Sequence, residues 1–362
     1  MAHRITLIPG DGIGPEVVEA ARLTVEAAGV EVRWDVRDLG AAAFDRTGRA
    51  LPEETLGSVL EHGAALKGPV DTPAGSEVRN VNVALRQRLD LYANVRPCRR
   101  YPGVPSRYGT VDLLVIRENT EDTYTGIEFE VGTQEVADLI AFVERSAGLR
   151  IRGDSGISVK AISEAGSDRI VRFAFEEARR RGRRTVTAAH KANIMKRSDG
   201  LFLEVARRVA AQYPDVGFDD RIIDALCMQL VSTPERFDVL VLPNLYGDIV
   251  AELGAGLIGG SAVAPGAHVG DGVAVFEPTH GTARRLAGRD RANPVGMLLS
   301  AAMLLRHVGE SEAAARLEGA VVAVLADGDD VTADLRAPGD DRPAVGTRRV
   351  GEAVRERLGA GG

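Results

Sequence analysis

The stretch "FDVLVLPNLYGDIVAEL" (residues 237–253) sets two kinds of structure end to end. Its first half is a short apolar run with the length and branching of a β-strand. Its second half reads as a helix and carries Asp248 and Glu252 four residues apart among Leu, Ile, Val and Ala. On a helix, that spacing aims both carboxylates from one face. Either this is a helix with one wet side, or it is part of a site for a divalent cation.

The same succession recurs along the chain. "RITLI" leads into a helix from Pro15 to about Gly29, with "VEVRWDV" after it. "DLLVIRE", "RRTVTAAH" and "RIID" are each followed by a helical or loop segment. This alternation predicts an α/β fold around a largely parallel core. A chain of 362 residues predicts two domains or one two-lobed unit. Two segments stand apart. Residues 122–163 break the alternation and read as an irregular or antiparallel insertion. Residues 254–272, rich in Gly and Ala, read as a close-packed crossing or a hinge.

Composition narrows the function. A net charge of −7 argues against a nucleic-acid surface, and aromatic residues at 4% leave little for base stacking. Two cysteines, Cys98 and Cys227, are too few for a disulfide framework and fit a reducing compartment. No run approaches the roughly 20 apolar residues of a membrane helix, and "MAHRITLIPG" lacks a signal-peptide pattern. A cytoplasmic protein is expected, with no membrane or nucleic-acid partner. Only four lysines (Lys67, Lys160, Lys191, Lys196) stand against 41 arginines. Where Arg fills nearly every surface role, a retained Lys points to chemistry, because Lys can lose its proton and Arg effectively cannot.

"IPGDGIGPEV" imitates a dinucleotide-binding loop, with Gly10, Gly12 and Gly14 after a strand and Asp35 about 20 residues on. Pro15 occupies the place of the last fingerprint glycine, so a tight turn into a helix fits better.

Four segments together carry chemistry. Residues 79–97 place Asn80, Asn82 and Arg86 near one helix face, with Arg96 beyond the following strand. "VIRENTEDTY" puts Arg117 at a strand end and Tyr124 shortly after. "AAHKANIMK" sets Lys191 and Asn193 behind an apolar strand, and "RIIDALCMQL" ends a strand with Asp224. Strand ends are where α/β proteins hold ligands. Three arginines suit a substrate with several carboxylates, three acids suit Mg²⁺ or Mn²⁺, and Lys and Tyr can transfer protons.

These segments, with "KGP" (67–69), "FEPTHGTA" (276–283) and "ANP" (292–294), resemble the isocitrate, isopropylmalate and homoisocitrate dehydrogenases, the β-decarboxylating dehydrogenase family. The resemblance covers essentially the whole chain and is strongest toward isocitrate-specific members. It implies a two-domain fold with a non-Rossmann nucleotide site. The large domain would be 1–91 plus 259–362 and the small domain 92–258, with a dimer clasp at about 122–163. It implies metal-dependent oxidation of a 2-hydroxy acid by NAD or NADP, followed by loss of CO₂. Arg86, Arg96 and Arg117 would bind the malate portion, with Asn80, Asn82 and Asn193 nearby. Asp248 and Glu252 would hold the metal with Asp224 of a second copy in a homodimer with shared sites. Lys191, also from that copy, would help take the hydroxyl proton, and Tyr124 would protonate the enolate. Thr72, His280, Gly281, Thr282, Ala283, Arg285 and Asn293 would line the nucleotide site.

Three departures qualify that picture. Asn80 replaces the serine of isocitrate-specific members, leaving homoisocitrate, isopropylmalate, tartrate or another malate-type acid as alternatives. A non-catalytic regulatory subunit of a heteromeric isocitrate dehydrogenase is a further alternative. Glu252 replaces the usual Asp. "HGTARRLAG" puts Arg285 where NAD-type members carry an Asp, which favours NADP with NAD as the alternative, although Leu286 and Ala333 replace the tyrosines of NADP-type members.

Overall fold

A computed structural model describes residues 2–360. Its strands are β1 (His3–Ile8), β2 (Val32–Val36), β3 (Ala64–Lys67), β4 (Ala93–Arg99), β5 (Asp112–Glu118) and β6 (Glu128–Phe129). They continue as β7 (Ile157–Ser158), β8 (Thr185–His190), β9 (Gly217–Ile222), β10 (Val239–Leu242), β11 (Pro265–Gly270) and β12 (Val273–Pro278). The helices are α1 (Gly14–Ala27), α2 (Ala41–Thr47), α3 (Glu53–His62), α4 (Val81–Arg88), α5 (Gln134–Ala147) and α6 (Glu164–Arg180). After them come α7 (Asp199–Ala210), α8 (Ile223–Ser232), α9 (Asn244–Leu257), α10 (Val295–His307), α11 (Ser311–Asp327) and α12 (Thr347–Ala360).

Ten strands form one sheet in the order β2-β1-β3-β12-β11-β4-β5-β10-β8-β9. Pairing is parallel except around β11, which runs antiparallel to both β12 and β4, and at β4–β5. The expected α/β architecture is therefore present, with an antiparallel seam in the middle. The first five strands in this order come from residues 3–67 and 265–278, and the other five from residues 93–242. Inner strands such as "VLVL" of β10 are buried along their whole length. Helices cover both faces, so these strands read as unbroken apolar runs instead of alternating ones.

Burial explains the helices. α1 starts with Pro15 in its first turn and turns Val17, Val18, Ala21 and Val25 toward the sheet. The loop before it is no phosphate cradle. Gly10 and Gly12 have positive φ, and a Cβ on Gly12 would stand 2.0 Å from the Thr282 carbonyl oxygen. The glycines are there because three backbone segments converge, and Asp35 accepts from Ser58 at 2.7 Å and pairs with Arg37 at 3.0 Å.

The insertion contains an antiparallel pair, Glu128↔Ser158 and Phe129↔Ile157, as expected. It also contains α5, which the sequence reading missed. That helix runs from its cap at Thr133 to the left-handed Gly148, and among its residues only Val136 is buried. The Gly/Ala-rich stretch packs closely: a Cβ on Gly254 would meet Cys98 Sγ at 2.6 Å, and one on Gly270 the Asp90 carbonyl at 2.6 Å. No described helix is long and apolar enough to cross a membrane.

Candidate active site

Arg117 is the last but one residue of β5 and is 2% exposed. Its Nε donates to Asn244 Oδ1 at 2.8 Å, and its Nη1 is paired with Asp248. Asn244 in turn donates to the Glu121 carbonyl at 3.0 Å, and Asp122 accepts from the Leu245 amide at 3.0 Å. These bonds fasten the loop after β5 to the start of α9. They bring Tyr124 beneath Arg117, with the guanidinium carbon 4.7 Å from the ring centroid. The Tyr124 hydroxyl donates to the other Asp248 oxygen. Partial burial and this bond raise the pKa of Tyr124, so it stays protonated. Arg117 Nη2 is buried with no partner among the described residues, a donor awaiting an acceptor.

Glu252 lies one turn beyond Asp248 on α9 and accepts no hydrogen bond from a described residue. Partial desolvation, with Asp248 adjacent, holds its pKa up against the pull of Arg96.

Arg96 lies within β4 and not beyond it, as the sequence reading had it. Its Nε donates to Asn94 at 2.9 Å and its Nη1 to Thr279 at 2.8 Å. Two glycines make room for these arginines. A Cβ on Gly266 would stand 2.3 Å from Arg96 Nη1, and one on Gly247 would stand 2.5 Å from Arg117 Cγ.

Arg86, on α4, and Arg96 both face Glu277, at 3.8 Å and 3.9 Å. Glu277 also pairs with Lys67 and accepts from or shares a proton with His268 Nε2 at 2.6 Å. Burial would raise the Glu277 pKa, but Lys67, His268 and Arg86 overcome it and hold the carboxylate well below its usual range. Burial and the neighbouring Arg86 push His268 down to about 3, leaving it neutral. Burial also lowers Arg86 to about 10. Lys67, His268 and Glu277 were absent from the sequence-based site. The scarcity of lysine and the "FEPTHGTA" stretch were the signals that could have found two of them.

Asn80 caps α4, accepting from the Val83 amide at 3.0 Å, which leaves its Nδ2 free to donate. Asn82 Oδ1 is buried without a partner among the described residues. Both lie on the helix that carries Arg86.

Lys191 and Asp224 form a second, separate group. Lys191 follows β8 with the exposed Asn193 in the same turn, and its Nζ binds Asp224. Asp224 belongs to the first turn of α8 and not to the strand before it. Lys191 holds its pKa down. Among the described residues, no three His, Cys, Asp or Glu side chains gather to hold a metal. Asp224 therefore does not join Asp248 and Glu252 within one chain.

A third region is a cavity of about 710 Å³ beside the "HGTA" loop, lined by His280, Ala283, Leu286, Asn293, Ala333 and Asp334 among others. His280 Nε2 is buried and has no partner among the described residues, which suits a nucleotide base, and burial lowers its pKa. Asn293 donates to Asp334 at 2.9 Å and accepts from the Val295 amide at 3.0 Å, starting α10. Thr72 accepts from the Val81 amide at 3.0 Å, and Thr282 donates to Asp71 at 2.9 Å. Gly281 and Arg285 are exposed and do not line the cavity, while the neighbouring Arg284 reaches away to Asp71 at 2.5 Å.

The sequence profile of the isocitrate/isopropylmalate dehydrogenases matches residues 4–354. The chain belongs to this family. It is accordingly an oxidoreductase of the β-decarboxylating class. A crystal structure of isocitrate dehydrogenase from Methylococcus capsulatus superposes with a TM-score of 0.89 at 46% identity, covering 98% of this chain and 99% of that one. The alpha subunit of the mitochondrial NAD isocitrate dehydrogenase of Macaca fascicularis is 45% identical over 332 residues, 91% of this chain and 90% of that protein. A regulatory subunit of the mitochondrial NAD isocitrate dehydrogenase of Dictyostelium discoideum is 42% identical over 334 residues, 91% of this chain and 85% of that protein.

For this family member two expectations change. Its mitochondrial relatives overturn the expected cytoplasmic location. Two free cysteines fit a reducing compartment but do not choose among compartments. Those relatives are also NAD proteins, and Arg285 does not line the cavity beside His280, so the leaning towards NADP loses its support.

Proposed function

We propose that the chain oxidises and decarboxylates isocitrate with NAD, in a site shared with a second copy. The observation that carries this is the convergence of Arg86, Arg96 and Arg117 beside Asp248 and Tyr124, with Arg117 Nη2 buried and unpartnered. Two or more carboxylates would satisfy these donors bidentately. Asn80 Nδ2, at the start of α4, supports a third, distal carboxylate over an apolar group, whose burial against amides would leave them unpaired. We place the lobes at 1–91 plus 259–362 and 92–258, meeting at the β11–β4 seam.

A second copy is supported by exposed apolar side chains. Met228 and Val231 on α8 and Ile249 on α9 are 59%, 52% and 54% exposed, and Phe142 of α5 is 57% exposed. Covering these faces removes apolar area from water. Pairing α8 and α9 with those of a partner would also deliver that partner's Lys191–Asp224 group to Asp248 and Glu252. The residues fit a divalent cation: three carboxylates, hard oxygen donors, come together only in the pair. They fit a dinucleotide through the cavity at His280.

When bound, the cation supplies charge stabilisation for the developing oxyanion and the nucleotide accepts the hydride. The chain does the rest. The arginines orient the substrate, and the Glu277 carboxylate holds Arg86 and Arg96 in place. With Asp224 committed to the cation, Lys191 would lose the carboxylate it binds in the single chain and, as the free amine, would take the 2-hydroxyl proton. Tyr124, protonated and held by Asp248, donates a proton to the carbon that loses CO₂.

The test is initial rate with Mg²⁺ or Mn²⁺, crossing NAD and NADP against isocitrate, homoisocitrate and isopropylmalate. Isocitrate with NAD should be fastest. Metal-dependent turnover only of another acid would refute the substrate. The regulatory relative gives a second reading, a subunit that binds without turnover; absence of activity in the purified chain alone would favour it. Arg285→Asp should leave the NAD preference unchanged, and a swing in preference would place Arg285 on the cofactor.

A further inference from the structure

Behind the arginine site, on the opposite face of the same strands, lies a cavity of about 280 Å³ between α6 and α10. Strand alternation makes the two sites back to back. On β4, Arg96 faces the front and Val95 the rear. On β11, His268 faces the front and Ala267 and Val269 the rear. On β12, Glu277 faces the front and Phe276 the rear.

The rear cavity is cationic in a chain of net charge −7. Arg180 and Arg181 enter it from the end of α6, Arg306 and His307 from the end of α10, and Glu177 is its one lining carboxylate. Arg180 donates to Glu177 through Nε and Nη2 at 2.8 and 2.7 Å, and Arg181 through Nε at 2.8 Å. Arg306 donates through Nη2 to Glu318 at 2.9 Å. The remaining guanidinium nitrogens of all three meet no acceptor among the described residues. The two helix ends offset part of the positive charge, yet none of the three guanidinium groups donates to a helix carbonyl. Burial lowers the Arg181 pKa, Glu177 opposes that fall, and the neighbouring cations Arg180 and Arg306 add to it.

We propose that this rear cavity binds a small phosphate-bearing polyanion, and that the bound anion holds the front cleft open. A phosphate group presents three strong acceptor oxygens where a carboxylate presents two, so it can take donors from guanidinium groups of both helices at once. α6 packs on β5, β8 and β10, and α10 packs on β3, β11 and β12, so the two helices ride on opposite halves of the sheet. An anion gripping both draws these halves together at the rear. With the β11–β4 seam as pivot, that draws Arg86 and Arg117 apart at the front. Nothing in this binding site depends on which acid the front site oxidises; the kinetic effect alone rests on the isocitrate reading.

Calorimetric titration with inorganic pyrophosphate, without divalent metal, tests the site. The intact chain should bind, Arg180→Gln with Arg306→Gln should weaken binding roughly a hundredfold, and Arg86→Gln should leave it in place. Absence of binding, or its loss in Arg86→Gln alone, would overturn the proposal. At constant free Mg²⁺, pyrophosphate should raise KM for isocitrate in the intact chain and not in the double variant. An unmoved KM beside intact pyrophosphate binding would refute the coupling. A chain inactive on isocitrate would count against the proposed function and not against the site, which calorimetry reads alone.

Discussion

Glu277→Gln removes the carboxylate around which Lys67, His268, Arg86 and Arg96 are arranged, and the fold should weaken sharply. At 3.8 Å from Arg86 and 3.9 Å from Arg96, each guanidinium attracts it by about 4 kcal/mol at an effective dielectric of roughly 20. Desolvation offsets much of this gain, so the useful magnitude is the cost of leaving buried cations unpaired, about 3–5 kcal/mol. Lys67 depends most on Glu277, because its other acceptor is the Gly68 carbonyl at 3.0 Å. Lys67→Met leaves Glu277 with His268 and both arginines, and should cost less, about 1–3 kcal/mol. Removing both members should cost less than the sum of the single changes. Urea unfolding followed by circular dichroism, at one fixed chain concentration, gives all three values. A cost below about 1 kcal/mol for Glu277→Gln, or strict additivity, would refute the reading of Glu277 as the counterion that holds the network. The pH dependence has a definite sign. The Glu277 pKa is depressed in the folded chain. Its contribution is thus fully present above the unfolded carboxylate value near ~4.3 and is lost as pH falls through the lower folded value. The gap between native and Glu277→Gln stabilities should stay level from neutrality to about pH 5 and shrink at more acid pH.

Gly247→Ala puts a methyl 2.5 Å from Arg117 Cγ, and displacing that guanidinium should lower kcat/KM for isocitrate roughly a hundredfold; unchanged kinetics would show that the arginine moves freely. Tyr124→Phe deletes the proton donor while keeping the ring beneath Arg117, so kcat should fall by about 10²–10⁴ with KM nearly constant. A change confined to KM would make Tyr124 a binding residue. Lys191→Met should abolish turnover while calorimetry still records metal-dependent substrate binding; loss of the fold instead would make the lysine structural.

Much of the site was legible because its chemistry needs particular side chains in short contexts. The α9 carboxylates, the arginine at the end of β5 and the lysine after β8 all follow from a strand-then-helix reading. Local patterns also set the limits of that reading. The glycines of "IPGDGIGPEV" imitate a phosphate loop because a tight backbone approach looks the same in sequence whatever approaches. Here the approaching group is the Thr282 carbonyl, from a segment far along the chain. α5 escaped notice although Val136, Leu139, Ile140 and Val143 recur at helical spacing between the cap at Thr133 and Gly148, because the segment as a whole breaks the strand–helix alternation and buries only Val136 fully.

By itself, then, the sequence determined the α/β alternation, the candidate acids, arginines, lysine and tyrosine, and the family they resemble. These depend on periodicity and residue chemistry, which act over a few residues. Only the tertiary structure decided that β11 runs antiparallel between two sheet halves, and that Lys67, His268 and Glu277 meet beneath the arginines. It also decided that Asp224 stays apart from Asp248 and Glu252 within one chain, and that Arg285 does not line the cavity beside His280. Each of these joins or separates residues distant in sequence, and such pairings are set by how buried strands register and helices pack, not by any local pattern.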